Sequence, residues 1–453
     1  MMSELLSTIE ASLDLPPLPD GALRIDGEGA LPSAFAVTEL ATASLAAAGS
    51  AVSSLLRGRT GEPAEVRVDR RLASFWFAGS IRPRGWSVPP AWDPLAGDYA
   101  TRDGWIRLHT NAPHHRASAE RVLGRCADAE ALAARVAGWT KGDLERAIVE
   151  AGGCAAEMRS WQAWKTYPQG RAVNAEPLVW RESGEPAAGK AWTGSRERPL
   201  AGIRVLDLTR VLAGPVASRF LAGLGAEVLR IDPPGWDEAA LVPEVTLGKR
   251  CARLDLHDRH DRATFERLLA DADVMLHGYR ADALERLGYG AAQRRALAPT
   301  LVDVSLNAYG WSGPWRNRRG FDSLVQMSCG VAEAGMRWRQ AERPLPLPVQ
   351  ALDHATGYLM AAAAIRALSE AFERGCGGSA RLSLARTARL LVERGAGESL
   401  PLRAEDADDR EPALEASDWG PAQRLRAPLH IAGLPLRWSL PARRLGSAAP
   451  AWS

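Results

Sequence analysis

The stretch IRVLDLTRVLAGPVASRFLAGLGAEVLRID, residues Ile203–Asp232, decides the fold. It opens with a short apolar run to Leu208, continues with helical spacing from Pro215 to Gly223, and closes on a second apolar run, Ala226–Asp232. Proline is preorganised for a first helical turn, and two apolar runs separated by one helix make a βαβ unit of about thirty residues. The alternation continues outward through ARLDL (Ala252–Leu256), a helix over Arg262–Ala270, DVMLH (Asp273–His277), helices over Asp282–Ala298 and LVDVSL (Leu301–Leu306). Short apolar strands spaced by helices predict a parallel sheet covered on both faces. The expected fold class is therefore α/β, with a doubly wound parallel sheet.

Upstream the pattern changes. Phe35–Leu56 reads as a long alanine-rich helix, EVRVD (Glu65–Asp69) as a strand, and Tyr99–Thr110 as a hairpin turning at Asp103-Gly104, with helices over Ala117–Leu123, Asp128–Trp139 and Lys141–Ala151. This predicts a smaller α+β domain. The polar stretch Arg181–Arg198 reads as a linker. The expected organisation is a tail over 1–32, the small domain over 33–180, the linker over 181–198 and the sheet domain over 199–453. Gly395–Ser417 is acidic and is expected to be a surface loop. Glu39–Ala73 also superposes without a gap on Asp353–Thr387, which points to an internal repeat.

With 453 residues, two or more domains are expected. A net charge of +2, from 56 basic and 54 acidic residues, gives no polycation to recruit nucleic acid or an anionic membrane. Five cysteines, an odd number without a C-x-x-C, read as free thiols in a reducing compartment. The first twenty residues lack the basic start and apolar core of a signal peptide, and no apolar stretch reaches the ~20 residues of a membrane span, so a soluble, cytoplasmic protein is expected.

The turn TRVLAGP (Thr209–Pro215) sits where open α/β sheets bind ligands, at the carboxyl end of a strand. Asp232 ends the second strand, as a ribose-binding acid does, but the G-x-G-x-x-G that admits a pyrophosphate is missing, which counts against NAD or FAD. No serine lies in G-x-S-x-G, and His257, His277 and His354 lack the spaced partner a metal site needs, so no metal is expected. Asp353 follows the proline-rich PLPLPVQAL and opens an alanine-rich helix. It reads either as a helix N-cap or as a carboxylate nucleophile that the helix N-terminus keeps ionised.

Five blocks in order, Pro199–Gly235, Leu247–Leu256, Ala272–Gly290, Leu301–Gln326 and Val349–Leu368, resemble the class III CoA-transferases, the formyl-CoA and carnitine CoA-transferase (CaiB/BaiF) family. The resemblance implies a Rossmann-like sheet and a transferase that moves CoA between an acyl-CoA thioester and a carboxylic acid, through an aspartyl anhydride and an aspartyl-CoA thioester. It places the nucleophile on Asp353 and CoA contacts on Val211, Ala213, Leu254, His257, Gly278, Tyr279, Arg280, Arg286 and Arg319. It implies no permanently bound cofactor, CoA thioesters and carboxylic acids as substrates, and a homodimer. Asp98–Val173 resembles the family's small domain but precedes the sheet instead of following it, which reads as two fused copies, each lacking what the other keeps. Glu39 stands where the first copy's nucleophile would be and reads as vestigial. Pro233 and Gly278 depart from the family pattern, and no run of glycines resembles the loop that shields the aspartate. Two alternatives are an α-methylacyl-CoA racemase, whose histidine would fall where Phe321 stands, and a non-catalytic CoA-binding subunit. The architecture predicts that residues 33–180 pack over the carboxyl ends of the strands, near Asp353.

Overall fold

The computed structural model describes residues 2–186 and 190–453. Its central sheet has seven strands, in the spatial order Lys249–Arg253, Glu227–Asp232, Arg204–Leu208, Val274–His277, Val302–Asn307, Cys376–Ser383 and Trp180–Pro186. The first six pair in parallel and the last is antiparallel. Helix Ala213–Gly223 makes the first crossover, so the βαβ unit read from the sequence is present. The third strand begins earlier than its apolar run because its charged start is neutralised inside: Lys249 Nζ lies 3.2 Å from the buried Asp207 carboxylate.

Two expectations are corrected. The first residues of the expected linker form the edge strand Trp180–Pro186, opposite Cys376–Ser383. An edge strand tolerates polar residues because one side faces water, and Arg381 here pairs with Glu182 and lies over the Trp180 ring at 5.0 Å. Linker residues 187–189 lie outside the described residues, and beyond them Lys190 Nζ pairs with Asp273 at 2.8 Å. The expected acidic loop also ends in a strand, Arg410–Ser417, paired with Gly420–Leu425, which in turn pairs with Ile81–Pro83. Its mostly exposed residues show no apolar alternation for a sequence reading to find.

Two helices of 24 residues, Val37–Thr60 and Ala351–Arg374, pack against each other at the centre. They start and stop at a common offset of 314 residues, and each ends on a glycine in the left-handed region, Gly61 at φ 83° and Gly375 at φ 68°. Each then leads into a strand and a helix, Arg70–Trp76 capped by Asp69 and Leu384–Arg394 capped by Ser383. Val37–Thr60 is long and apolar enough to cross a membrane, but 94% of its most apolar window is buried inside the protein. On its other side Ala351–Arg374 meets Ala213–Gly223 so closely that a Cβ on Gly357 would sit 2.4 Å from the Ala213 carbonyl oxygen.

The halves are interlocked. Strand Leu429–Ile431 pairs with Val66–Asp69 of the first half, and one apolar core runs through both central helices. The hairpin Gly97–Thr101 and Gly104–Leu108, with Ala155–Glu157 and helices Pro113–Leu123, Ala129–Val136 and Lys141–Glu150, encloses a small core of its own. That unit docks on the segment following strand Val302–Asn307. Arg318 pairs with Glu145 at 3.0 Å and donates to the Ala155 carbonyl at 2.8 Å, and Gln169 donates to the Tyr309 carbonyl at 2.7 Å. Glu176 accepts from the backbone of Trp311 and Ser312 at 2.8 and 2.7 Å. The part of the first half around residues 145–176 therefore lies at the carboxyl end of strand Val302–Asn307, as expected of residues 33–180, whereas helix Val37–Thr60 packs on Ala351–Arg374 instead.

Candidate active site

Asp353 is the third residue of helix Ala351–Arg374, one turn inside the expected cap position, which Gln350 takes. Its backbone N–H donates to Asp322 Oδ2 at 2.9 Å, while its own carboxylate receives no protein donor among the described residues and is 7% exposed. Neither reading of Asp353 as a cap nor as a group kept ionised by the helix end survives. Burial, and then the neighbouring Asp322 charge, push its pKa well above the carboxylate range. Asp322 is itself raised to about 6 by burial, against the hydrogen bonds it accepts from Gln326 and from the Asp353 and Leu352 backbones. Gln326 in turn accepts the Leu347 N–H at 2.7 Å, tying the loop ahead of the helix to this carboxyl pair.

The small domain supplies the facing wall. The His109 ring stacks on Phe321 at 3.8 Å, Trp92 meets His109 edge-on at 5.8 Å, and the Arg107 guanidinium lies over Trp92 at 4.7 Å. His109 and His115 are neutral there, since burial pushes both pKa values down to about 3. Sequence reasoning missed Asp322 and His109. A signal for Asp322 existed in FDSLVQ, where a carboxylate and an amide stand four residues apart on one helical face. His109 had none, because it reaches the site only through docking.

At the carboxyl ends of the strands, the first turn holds Val211 at φ 66°, a left-handed conformation that a β-branched residue rarely adopts. Its N–H is anchored on Glu238 Oε2 at 2.8 Å, and Ala213 follows at the start of the crossover helix. Arg210 lies between the Trp236 and Tyr279 rings, at 4.8 and 5.1 Å, and donates to the Tyr279 hydroxyl at 3.0 Å. Gly278 is exposed beside them, with Tyr279 and Arg280 half-buried. Burial, then the charge of Arg319, push the Arg280 pKa down, and Arg319 donates to the Gly152 carbonyl of the small domain at 3.1 Å. Among the described residues, no carboxylate lies within ion-pair distance of Arg210, Arg280 or Arg319. The turn thus gathers guanidinium groups without a close ion pair among the described residues, suited to phosphate.

Three expected contacts stand apart from that cluster. Leu254 is packed in the core beneath the strand ends, His257 is exposed on the following turn, and Arg286 points to solvent in an ion pair with Asp282 at 2.6 Å. Asp232 is fully buried and held by Arg230 at 2.9 Å, so it is not free to grip a ribose. Glu39, at the place in its helix that Asp353 has in the other, differs from it: Arg70 pairs with it at 3.2 Å and the Glu398 N–H reaches it at 3.2 Å. Gly397 closes so tightly that a Cβ there would meet Glu39 Oε2 at 2.7 Å.

Six of the seven strands of the sheet and the Asp353 helix fall within residues 200–423, which match the family model described as CoA-transferase family III. That segment is similar to CoA-transferase family III. The chain is 34% identical over 186 residues to an acetyl-coenzyme A transferase of Hypoxylon pulicicidum, covering 40% of this chain and 31% of that protein. It is 34% identical over 190 residues to a probable fatty acyl-CoA transferase of Mycobacterium tuberculosis, covering 39% of this chain and 48% of that protein. To the succinyl-CoA:glutarate CoA-transferase of Mus musculus it is 29% identical over 224 residues, covering 45% and 51%. The chain thus spans about a third to a half of the length of these relatives. A crystal structure of an M. tuberculosis protein is similar at 32% identity and a TM-score of 0.40, over 42% of this chain and 56% of that one.

Proposed function

We propose that this protein is a CoA-transferase that exchanges CoA between an acyl-CoA thioester and a carboxylic acid, with Asp353 as the nucleophile. The observation that carries the reading is the Asp353 carboxyl group, nearly buried and without a donor among the described residues, on a residue whose backbone N–H binds the Asp322 carboxylate. A carboxylate with a raised pKa is poorly solvated once ionised, and so is a stronger nucleophile than one in water. Once its proton is released to solvent, the ionised Asp353 carboxylate attacks the thioester carbonyl carbon, the C–S bond breaks, and CoA leaves as thiolate, giving a mixed anhydride. The thiolate attacks the aspartyl carbonyl and expels the donor as a carboxylate, leaving an aspartyl-CoA thioester. The acceptor carboxylate then runs the two steps in reverse.

CoA would lie along the carboxyl ends of the strands, with Val211, Ala213, Gly278 and Tyr279 beside its chain and Arg280 and Arg319 on its phosphates. His257 and Arg286 would flank the nucleotide from further out, while Leu254 supports the strand ends from the core. The sheet order supports a Rossmann-like domain, and the matched helices support descent of both halves from one ancestral copy. In this arrangement the chain itself brings a small domain to its own sheet. The racemase alternative lacks support, since Phe321 holds the position of the proton-transferring histidine and is covered by the His109 ring.

The test is a chemical quench. Incubation with an acyl-CoA and no acceptor, followed by peptide mass spectrometry, should find CoA bonded to the Asp353 peptide, and hydroxylamine should convert that residue to the hydroxamate. A wild-type enzyme that turns over without any such adduct refutes the covalent route.

A further inference from the structure

Strand Gly104–Leu108 alternates. Ile106 and Leu108 turn into the small domain's own core, so Trp105, Arg107 and, just past the strand's end, His109 face the other way, towards helix Asp322–Ser328. Trp105 packs with Phe321 against a cluster that includes Leu324, and the Arg107 charge acts on Asp322. The His109 ring lies flat on Phe321, at 3.8 Å and 12°, and Phe321 immediately precedes Asp322. Asp322 accepts the Asp353 N–H at 2.9 Å, so the imidazole and the reacting residue meet the same end of one short helix.

His109 is 6% exposed, and its Nδ1 is buried without a partner among the described residues. Any ring could stack on Phe321, and a phenyl group would do so without the desolvation cost of an imidazole. A buried polar atom without a partner calls for an explanation, and a ligand is one. Ser323 Oγ, on the residue after Asp322, is left in the same state. Nδ1 has no acceptor, and a buried N–H without one is the costlier orphan, so the neutral ring holds its proton on Nε2.

We propose that His109 is a catalytic residue of the transfer, and that its Nε2–H donates to the carbonyl oxygen of the thioester that Asp353 attacks. The proposal rests on the reading of Asp353 as the nucleophile. As the carboxylate adds to the thioester carbon, the C=O π pair moves onto oxygen, and the imidazole N–H stabilises that charge without giving up its proton. When the pair returns, the C–S bond breaks and its electrons leave on the thiolate sulfur. The acceptor's half of the exchange passes through the same oxyanion in reverse. A ring kept neutral by burial polarises the carbonyl and places no cation beside Asp353 to quench the carboxylate. His109 belongs to the first half, so docking of the small domain completes a site whose nucleophile lies in the second.

Two variants of the full chain test this. His109→Phe keeps the ring and its stack but removes the donor, whereas His109→Gln loses the ring and returns an amide N–H near the Nε2 position. At saturating acyl-CoA without acceptor, quenched-flow mass spectrometry follows the appearance of CoA on the Asp353 peptide. His109→Phe should form that adduct about a hundred-fold or more slowly than wild type, with CoA affinity unchanged in calorimetry. His109→Gln should recover about tenfold or more of the loss. A packing role gives the opposite order, with the phenylalanine variant near wild type and the glutamine variant impaired, and that order overturns the proposal. Should His109→Phe lose CoA affinity through misfolding, the native ring decides. In Asp353→Asn carrying isotope-labelled histidine, the His109 Nε2 signal in nitrogen NMR should move when acyl-CoA binds, and a signal that stays overturns the proposal. Absence of any adduct on wild-type Asp353 refutes the proposed function itself, whereas an adduct formed equally fast by His109→Phe refutes this inference alone.

Discussion

Two carboxyl groups, Asp322 and Asp353, share one buried site, and their cost to the fold is measurable. Both have folded-state pKa values above those of the unfolded chain, so the native state holds more protons between the ordinary Asp range and about 6 for Asp322, higher for Asp353. Stability therefore falls as pH rises through that window and is regained on acidification. Asp353→Asn removes one of the two charges, and should be more stable than wild type by about 1–3 kcal/mol at pH 8, with the difference vanishing near pH 4. Urea unfolding at the two pH values checks this. The same variant should lose transfer by about a thousand-fold or more. A destabilising residue whose removal abolishes activity is a functional one, whereas a cap would lose both together. On the CoA side, Arg280→Ala and Arg319→Ala should each weaken CoA about tenfold while leaving turnover of an acyl-pantetheine, which has no phosphates, unchanged. Equal CoA affinities in calorimetry would place the phosphates elsewhere. At this scale the sequence was a partial guide. Asp353 was found because its block lies in one unbroken stretch, but its electrostatics were misjudged, since Asp322 comes to it from 31 residues away through the fold.

The twin helices show what alternation and composition can and cannot reveal. Their alanine-rich helical character and the gap-free match between them were legible, because a long run of alanines and leucines favours a helix, while their ends were not. The edge strands Trp180–Pro186 and Arg410–Ser417 were not. A strand that lends one backbone edge to a partner and keeps its side chains in water needs no apolar residues, and so leaves no periodic trace. Helix contact gives the prediction at this scale. A side chain on Gly357 would collide with the Ala213 carbonyl and with Val216, whose Cβ would be 2.9 Å away. Gly357→Val should destabilise the protein by about 1–3 kcal/mol. It should also weaken CoA binding, because Ala213 carries the first turn; a variant with unaltered melting temperature and CoA affinity would mean the two helices separate freely.

For the whole molecule, the interlocking of the halves makes neither an independent unit. Residues 190–453 alone would leave the alanine-rich face of Ala351–Arg374 uncovered and strand Leu429–Ile431 without its partner, conditions that favour aggregation. Expressed separately, that segment should be insoluble or inactive, and co-expression with residues 1–186 should restore soluble, active protein. Full-rate transfer by residues 190–453 on their own would show that the small domain takes no part in the reaction. The docking of the two halves was anticipated from the reversed order of the segments. The partner chosen by each strand was not, because pairing over such separations depends on three-dimensional placement.

The pairing of Val68 with Leu429 sets a clock on how this protein is made. The ribosome delivers about 5–20 residues per second, so a chain that has exposed residue 68 waits roughly 20 to 70 s before residue 429 follows. Until Ala351–Arg374 emerges, the Val37–Thr60 helix, apolar enough for a membrane, lacks its main packing partner. Slowing translation of the second half should therefore lower the yield of native protein more than slowing the first.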